Sequence, residues 1–110
     1  MSEPLAVLRG TLDVLVLKAL TWGPMHGFEI TAWIEARAGG NLDIVDSALY
    51  QSLYRLEARR AITADWGVTE NNRRARYYTL TTGGRRFLEA EHRRWRRLAR
   101  GVELVMGMSS

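Results

Sequence analysis

The segment 47–57 reads Ser-Ala-Leu-Tyr-Gln-Ser-Leu-Tyr-Arg-Leu-Glu, and it predicts a helix with two different faces. Leu49, Leu53 and Leu56 recur at spacings of four and three, which places one apolar stripe against a core. The remaining positions carry small or hydrogen-bonding side chains. We expect Asp46 or Ser47 to cap this helix and the helix to end near residue 59. Such a surface suits a helix that reads base edges in a groove.

Two shorter helices are predicted before this segment. The first covers residues 11–21, with Thr11 as its N-cap, and residues 22–24 (Trp-Gly-Pro) end it because proline cannot continue the hydrogen-bond ladder. The second covers about residues 27–38, and the glycine pair at 39–40 stops it. Both carry apolar residues at helical spacing, so we expect them to pack on each other.

A β-hairpin is predicted after the third helix. Residues 61–67 and 75–81 are enriched in β-branched and aromatic side chains and alternate as strands do. Between them lies the polar turn 68–74, which contains two asparagines and two arginines. The hairpin therefore has a basic tip.

A long helix is predicted from residue 82 to about 106, and it carries an apolar stripe with heptad spacing. Glu91 takes the place of one inner residue of a stripe that otherwise consists of Leu88, Trp95, Leu98, Val102 and Val105. A helix of about 25 residues whose stripe extends beyond a small core usually packs on a partner helix. We therefore expect a homodimer.

Composition and charge narrow the classes of protein. The chain has 110 residues, enough for one domain, and it has no cysteine. No apolar stretch approaches the roughly 20 residues that span a bilayer, so a cytoplasmic protein without membrane contact is expected. Residues 1–54 carry three basic and six acidic side chains, whereas residues 55–110 carry thirteen and six. Since nearly all of the basic residues are arginine, a polyanionic partner is indicated.

The order of these elements predicts the fold class. It is mainly α with a small β-hairpin, namely a winged helix-turn-helix followed by a long C-terminal dimerisation helix. Residues 1–81 would form the winged helix-turn-helix DNA-binding domain, and residues 82–110 the dimerisation helix.

Four ordered motifs resemble the PadR-like family of transcriptional regulators over residues 8 to about 100. They are Leu-Arg-Gly-Thr-Leu (8–12), Gly-Pro-Met-His-Gly-Phe-Glu-Ile (23–30), the segment 47–57, and Asn-Asn-Arg-Arg-Ala-Arg-Tyr-Tyr-Thr-Leu-Thr (71–81). The family often has proline where this chain has Gln51. The short C-terminal region is similar to the branch with one C-terminal helix. The resemblance implies a cytoplasmic homodimer, often a repressor, that binds a palindromic operator in double-stranded DNA and in several relatives is released by a small molecule.

The predicted DNA contacts come from the third helix and the hairpin. In the third helix, base edges would be met by Ser47, Ala48, Gln51 and Ser52, and phosphates by Tyr50 and Tyr54. Gln51 is the best candidate for direct readout because glutamine can pair bidentately with adenine. In the hairpin, phosphates or the minor groove would be gripped by Asn71, Asn72, Arg73, Arg74 and Arg76.

Each of these contacts has a structural alternative. Tyr50 and Tyr54 would instead pack against the hairpin as core residues, the tip would be an ordinary polar turn, and Arg76 would pair with an acidic residue beside the hairpin.

An effector site is a further hypothesis. Trp95, with help from Trp22 and Phe28, would stack a flat aromatic effector, although Trp95 is better explained as a large residue of the dimer seam.

Enzyme activity is not indicated, and we expect no cofactor and no metal. Glu89 and His92 form one Glu-x-x-His pair, but a di-metal bundle needs several. His26 has no nucleophile arrangement beside it, and a turn histidine with local hydrogen bonds explains it. Two other functions stay open: a protein-binding adaptor, and a sequence-blind DNA-binding protein. The adaptor would show no sequence preference on DNA, and the sequence-blind protein would bind DNA salt-dependently without a preferred operator.

Overall fold

The computed structural model describes residues 5–6 and 9–107. Most of this part of the chain is helical. The helices are α1 (Arg9–Leu20), α2 (Gly27–Arg37), α3 (Asp46–Ala58) and α4 (Thr82–Met106). The strands are β1 (Leu5–Ala6), β2 (Met25–His26), β3 (Leu42–Asp43), β4 (Ile62–Val68) and β5 (Arg74–Leu80). This is the predicted winged helix-turn-helix fold, with the wing formed by β4 and β5.

The wing is part of a three-stranded antiparallel sheet. Strand β5 lies between β4 and the short β2, so that Tyr78 is opposite Ala64 on one side and Met25 on the other. Strand β1 pairs with β3 in parallel. The two-residue strands were not predicted, because a segment of two residues shows no alternation in the sequence.

One hydrophobic core holds the helices and the sheet together. The apolar faces of α1, α2 and α3 meet over the start of β4, and Tyr78 closes the core from β5. The largest fully buried side chains are Leu12, Val16, Leu17, Leu20, Ile30, Leu49, Ser52, Leu53, Leu56 and Ile62. The apolar stripe predicted for α3 is confirmed, since all three of its leucines are buried.

Two of the predicted helix caps are wrong. Helix α1 begins at Arg9, so Thr11 lies inside the helix and is not its N-cap. Helix α3 is capped by the backbone of Val45, so neither Asp46 nor Ser47 is the cap. The reason is that the N–H of Ile44 donates to Glu35 Oε2 at 3.0 Å, which fixes the extended chain one residue before the helix turns.

Helix α4 is tied closely to the start of the wing. The Thr81 hydroxyl accepts from the Gly84 N–H at 2.9 Å, and its one proton is shared between the Arg60 carbonyl at 2.8 Å and the Ala61 carbonyl at 3.0 Å. Gly84 is buried, and a Cβ there would lie 2.1 Å from the Ala61 carbonyl oxygen. Only glycine fits this close approach, which sets the direction in which α4 leaves the domain. Within residues 5–6 and 9–107, no helix is long and apolar enough to cross a membrane.

Candidate nucleic-acid interface

Helix α3 exposes the face that the sequence predicted for DNA. Ser47 and Gln51 are exposed, and Tyr50 and Tyr54 are 55% and 77% exposed. These four residues and Arg55 line one shallow depression on the surface. The alternative that the two tyrosines are core residues is therefore wrong.

Ser52 does not lie where the sequence placed it, and Ala48 is only partly accessible. Ser52 is fully buried, and its hydroxyl donates to Asp13 Oδ1. The physical reason is that Ser52 follows Leu49 by three residues, which puts it on the buried stripe of the helix. Ala48 is half-buried against the core. The prediction that Ser52 reaches a base edge is wrong.

The N-terminus of α2 packs against the same region. His26 caps α2 through a capping box, in which its Nδ1 accepts from the Glu29 N–H at 3.3 Å and its own N–H donates to Glu29 Oε1 at 3.1 Å. This confirms His26 as a turn histidine with local hydrogen bonds. A Cβ on Gly27 would lie 2.9 Å from Tyr50 Oη, so glycine lets α2 approach the tyrosine of α3.

The tip of the wing is a closed turn. The Thr69 N–H donates to the Arg73 carbonyl at 2.8 Å, and the Asn72 N–H donates to the Thr69 carbonyl at 2.9 Å. Asn72 adopts a left-handed conformation with φ of 60°, which asparagine tolerates better than most residues. Asn71, Asn72 and Arg73 are exposed on this turn.

The three wing arginines have different surroundings. Arg73 has no ion pair within the described part of the chain. The Arg74 guanidinium lies 4.4 Å from the centre of the Trp66 ring, which holds it by a cation–π contact. Arg76 pairs with Glu57 of α3 at 3.0 Å, which confirms the alternative proposed for it. The unneutralised charge of the wing therefore lies at Arg73 and Arg74.

The wing, α3 and the start of α2 open onto one cleft of about 860 Å³. Its lining includes Phe28, Tyr50, Asn71, Arg73, Arg74 and Arg76. The cleft brings Tyr50 of α3 together with predicted residues of the hairpin. Ser47, Gln51 and Tyr54 line a separate depression, and Tyr50 belongs to both. Sequence reasoning missed the contribution of His26 to this cleft, because nothing in its neighbourhood shows that α2 begins beside the wing.

Tyr78 lies under this cleft. Burial raises the pKa of its phenol above the ordinary value of 10.0, and the positive charge of Arg76 opposes part of that rise. Burial therefore favours the uncharged form of the Tyr78 phenol.

The predicted dimer seam is exposed over most of its length. Trp95, Leu98, Val102 and Val105 are all large exposed side chains on α4, with Trp95 at 46% the least exposed. Leu88 is different, because it packs on the core of its own chain together with Phe87. The part of α4 whose apolar stripe is not packed against the core of its own chain therefore begins after Leu88.

The three aromatic residues predicted for an effector do not share a site. Trp22 lies 5.7 Å from the Arg37 guanidinium, Phe28 lines the cleft at the wing, and Trp95 lines a depression on α4 among arginines. Neither the cleft nor the depression contains Trp22.

In the described residues, no group of three or more histidine, cysteine or acidic side chains could hold a metal ion. Glu89 and His92 form no larger cluster there.

A winged helix-turn-helix whose third helix exposes small and hydrogen-bonding side chains, and whose wing is basic, is the architecture of a DNA-binding protein. The model of the transcriptional regulator PadR-like family matches residues 16–90. The chain belongs to this family, and its function is therefore to regulate transcription by binding DNA, not to catalyse a reaction.

The chain is also similar to individual proteins in fold or in sequence. A transcriptional regulator from Clostridium thermocellum is 26% identical, with a TM-score of 0.77 over 86% of this chain and 89% of that chain. A PadR family transcription regulator from Clostridium difficile shares the fold at 24% identity, with a TM-score of 0.71 over 87% of this chain and 98% of that chain. A Lysinibacillus sphaericus protein designated protein X is 27% identical over 100 residues, which are 91% of this chain and 92% of that protein.

Proposed function

We propose that two copies of this chain form a cytoplasmic homodimer that binds a palindromic operator in double-stranded DNA and represses transcription. The observation that carries the proposal is the position of Tyr50, which lines both the cleft at the basic tip of the wing and the depression on the exposed face of α3, so that the two surfaces adjoin. A duplex lying across the two surfaces is contacted by both elements at once. DNA binding is assigned to residues 1–81 and dimerisation to the helix within residues 82–110.

The residues have different tasks in this proposal. Gln51 and Ser47 meet base edges in the major groove, with Ala48 offering a methyl surface at the margin. Phosphates beside the groove are held by the hydroxyls of Tyr50 and Tyr54. The flanking DNA is gripped by the tip residues Asn71, Asn72, Arg73 and Arg74, with Arg76 held close by Glu57.

Dimerisation rests on the exposed seam of α4. Four apolar side chains with heptad spacing lie open to solvent, and a second copy of the same helix related by a two-fold axis would cover them. The test is the molar mass in solution of the wild type and of the double variant Trp95→Arg/Leu98→Arg. We expect a dimeric wild type and a monomeric variant.

The control is Glu89→Arg, which adds arginine to an exposed position of α4 outside the seam. This control should stay dimeric. A double variant with the mass of the wild type would contradict the assignment of the seam.

A small aromatic effector is the second part of the proposal, and it rests on Trp95. This ring lies on the seam with Arg93, Arg96, Arg97 and Arg100 around it, so a flat ligand held between two such helices would change the spacing of the two DNA-binding domains. Trp22 and Phe28 are not part of this site. Quenching of tryptophan fluorescence by planar aromatic compounds, lost in Trp95→Leu, would support it.

The DNA-binding part is tested by selection. Purified protein is incubated with randomised duplex DNA at about 0.15 M salt, and the retained sequences are compared with a scrambled duplex. We expect a two-fold symmetric motif with half-sites one or two helical turns apart and a preference of at least ~10³. Retention without an enriched motif would favour the sequence-blind protein, and lack of retention would favour the adaptor.

A further inference from the structure

A charged cluster joins α1 to the DNA-facing helix α3. The carboxylate of Asp13 accepts three hydrogen bonds from α3: one from the Ser52 hydroxyl, one from Arg55 Nε at 3.2 Å and one from Arg55 Nη2 at 2.7 Å. The side chains of Asp13 and Arg55 are only 18% and 22% exposed. The paired geometry fixes the plane of the guanidinium as well as its position.

This cluster leaves part of the Arg55 guanidinium unused. Of its five N–H groups, those on Nη1 have no partner within the described ranges. Arg55 follows Gln51 by four residues and Ser47 by eight, so the three lie in one row of the helix. Arg55 also lines the same surface depression as the other two.

We propose that Arg55 contacts a DNA phosphate beside the groove and that Asp13 is a positioning residue that holds Arg55 in place for this contact. The proposal rests on the proposed function of the α3 face. A guanidinium that is already fixed loses less rotamer freedom on binding than a free arginine does, so its contact with DNA is stronger.

If Asp13 positions Arg55, replacement of Asp13 changes the affinity for DNA in the direction opposite to the one expected from charge alone. Removal of a negative charge from a DNA-binding protein should strengthen its binding, because repulsion of the phosphates falls. If Asp13 positions Arg55, its removal should instead weaken binding. Asp13→Asn keeps the size of the side chain, and Asp43→Asn is the control because Asp43 is exposed and the change of charge is the same.

The experiment measures the dissociation constant for random-sequence duplex DNA between about 0.05 and 0.2 M salt. The variants are Asp13→Asn, Asp43→Asn, Arg55→Gln and the double variant Asp13→Asn/Arg55→Gln, each checked for native circular dichroism. In Arg55→Gln alone, the carboxylate of Asp13 loses its charged partner, which can prevent folding. The double variant places two amides side by side and leaves no carboxylate without a partner, so its DNA binding can still be measured in that case. It is compared with Asp13→Asn, from which it differs only at position 55.

The slope of log affinity against log salt is negative, and we expect Arg55→Gln to reduce its magnitude by about one unit relative to wild type. We expect the same reduction in the double variant relative to Asp13→Asn. We expect Asp13→Asn to bind roughly two- to tenfold more weakly than wild type, which is the cost of ordering one long side chain, while Asp43→Asn binds equally or more tightly.

An unchanged slope in the double variant relative to Asp13→Asn would overturn the phosphate contact. Tighter binding by Asp13→Asn, equal to that of Asp43→Asn, would overturn the positioning role. Failure of the wild type to bind duplex DNA at all would overturn the proposed function, and with it this inference.

Discussion

Substitution of Gly84 by alanine tests the close approach that fixes α4 to the wing. The new Cβ would lie 2.1 Å from the Ala61 carbonyl oxygen and 2.8 Å from Leu80 Cδ1. The carbonyl cannot move freely, because it accepts from the Thr81 N–H at 3.1 Å and shares the Thr81 hydroxyl proton with the Arg60 carbonyl. The backbone must therefore shift by about 1 Å, which is a severe case of overpacking.

The expected cost follows from two opposing effects. Overpacking of this kind costs about 3 kcal/mol, and alanine regains about 1 kcal/mol over glycine inside a helix. The free energy of unfolding should fall by about 2 kcal/mol, and the melting temperature by roughly 10 °C.

The measurement is thermal and urea denaturation followed by circular dichroism at one fixed protein concentration, since a dimer melts in a concentration-dependent way. Gly83→Ala is the matched control, because its Cβ would meet only Thr81 Oγ1 at 3.8 Å, and it should be as stable as wild type or up to about 1 kcal/mol more stable. A Gly84→Ala protein as stable as this control would show that the Ala61 carbonyl does not exclude a Cβ at position 84.

Three further substitutions separate structural from DNA-contacting roles. Ser52→Ala removes a buried hydrogen bond to a carboxylate and should lower the unfolding free energy, measured by urea denaturation, by about 2 kcal/mol. Ser47 is exposed, so Ser47→Ala should change the unfolding free energy by less than about 0.5 kcal/mol. Equal losses in the two variants would contradict the buried role of Ser52. Gly27→Ala displaces the Tyr50 hydroxyl and should weaken DNA binding up to roughly tenfold, because one hydrogen bond to a phosphate would be lost. The measurement is an affinity titration, and unchanged affinity would mean that Tyr50 holds no phosphate. Because burial raises the pKa of Tyr78, the unfolded state loses this proton first, so the unfolding free energy should fall as pH rises above about 10. In Tyr78→Phe that fall should be shallower, and parallel stability curves would contradict the assignment.

The sequence predicted the elements of the fold well because their periodicity is local. The spacing of Leu49, Leu53 and Leu56 identified the buried stripe of α3, and the predicted strands differ from β4 and β5 by one residue at their ends. The helix caps were less predictable, since Val45 caps α3 through its backbone alone and Glu35 of α2, which is distant in the sequence, accepts from the Ile44 N–H just before it.

The errors at the site come from partners that are distant in the sequence. Ser52 looked like an exposed polar residue, but its partner Asp13 lies 39 positions earlier. For Arg76 the sequence leaves open a contact with DNA or an ion pair, and the structure shows the ion pair, with Glu57, which is 19 positions away. Leu88 fits the heptad pattern, although a pattern does not tell which part of a stripe is covered by the chain's own core.

Base reading by α3 and phosphate binding by the wing are distinguished by one matched pair of variants. Gln51→Ala and Arg73→Ala are titrated against the selected operator and against a scrambled duplex at several salt concentrations. We expect Gln51→Ala to lose about 1–3 kcal/mol of the preference for the operator at unchanged affinity for the scrambled duplex. We expect Arg73→Ala to weaken binding to both duplexes alike and to lower the salt slope by about one unit. If Gln51→Ala kept the full preference, or if Arg73→Ala weakened only the operator complex, the assignment of reading to α3 and gripping to the wing would be contradicted.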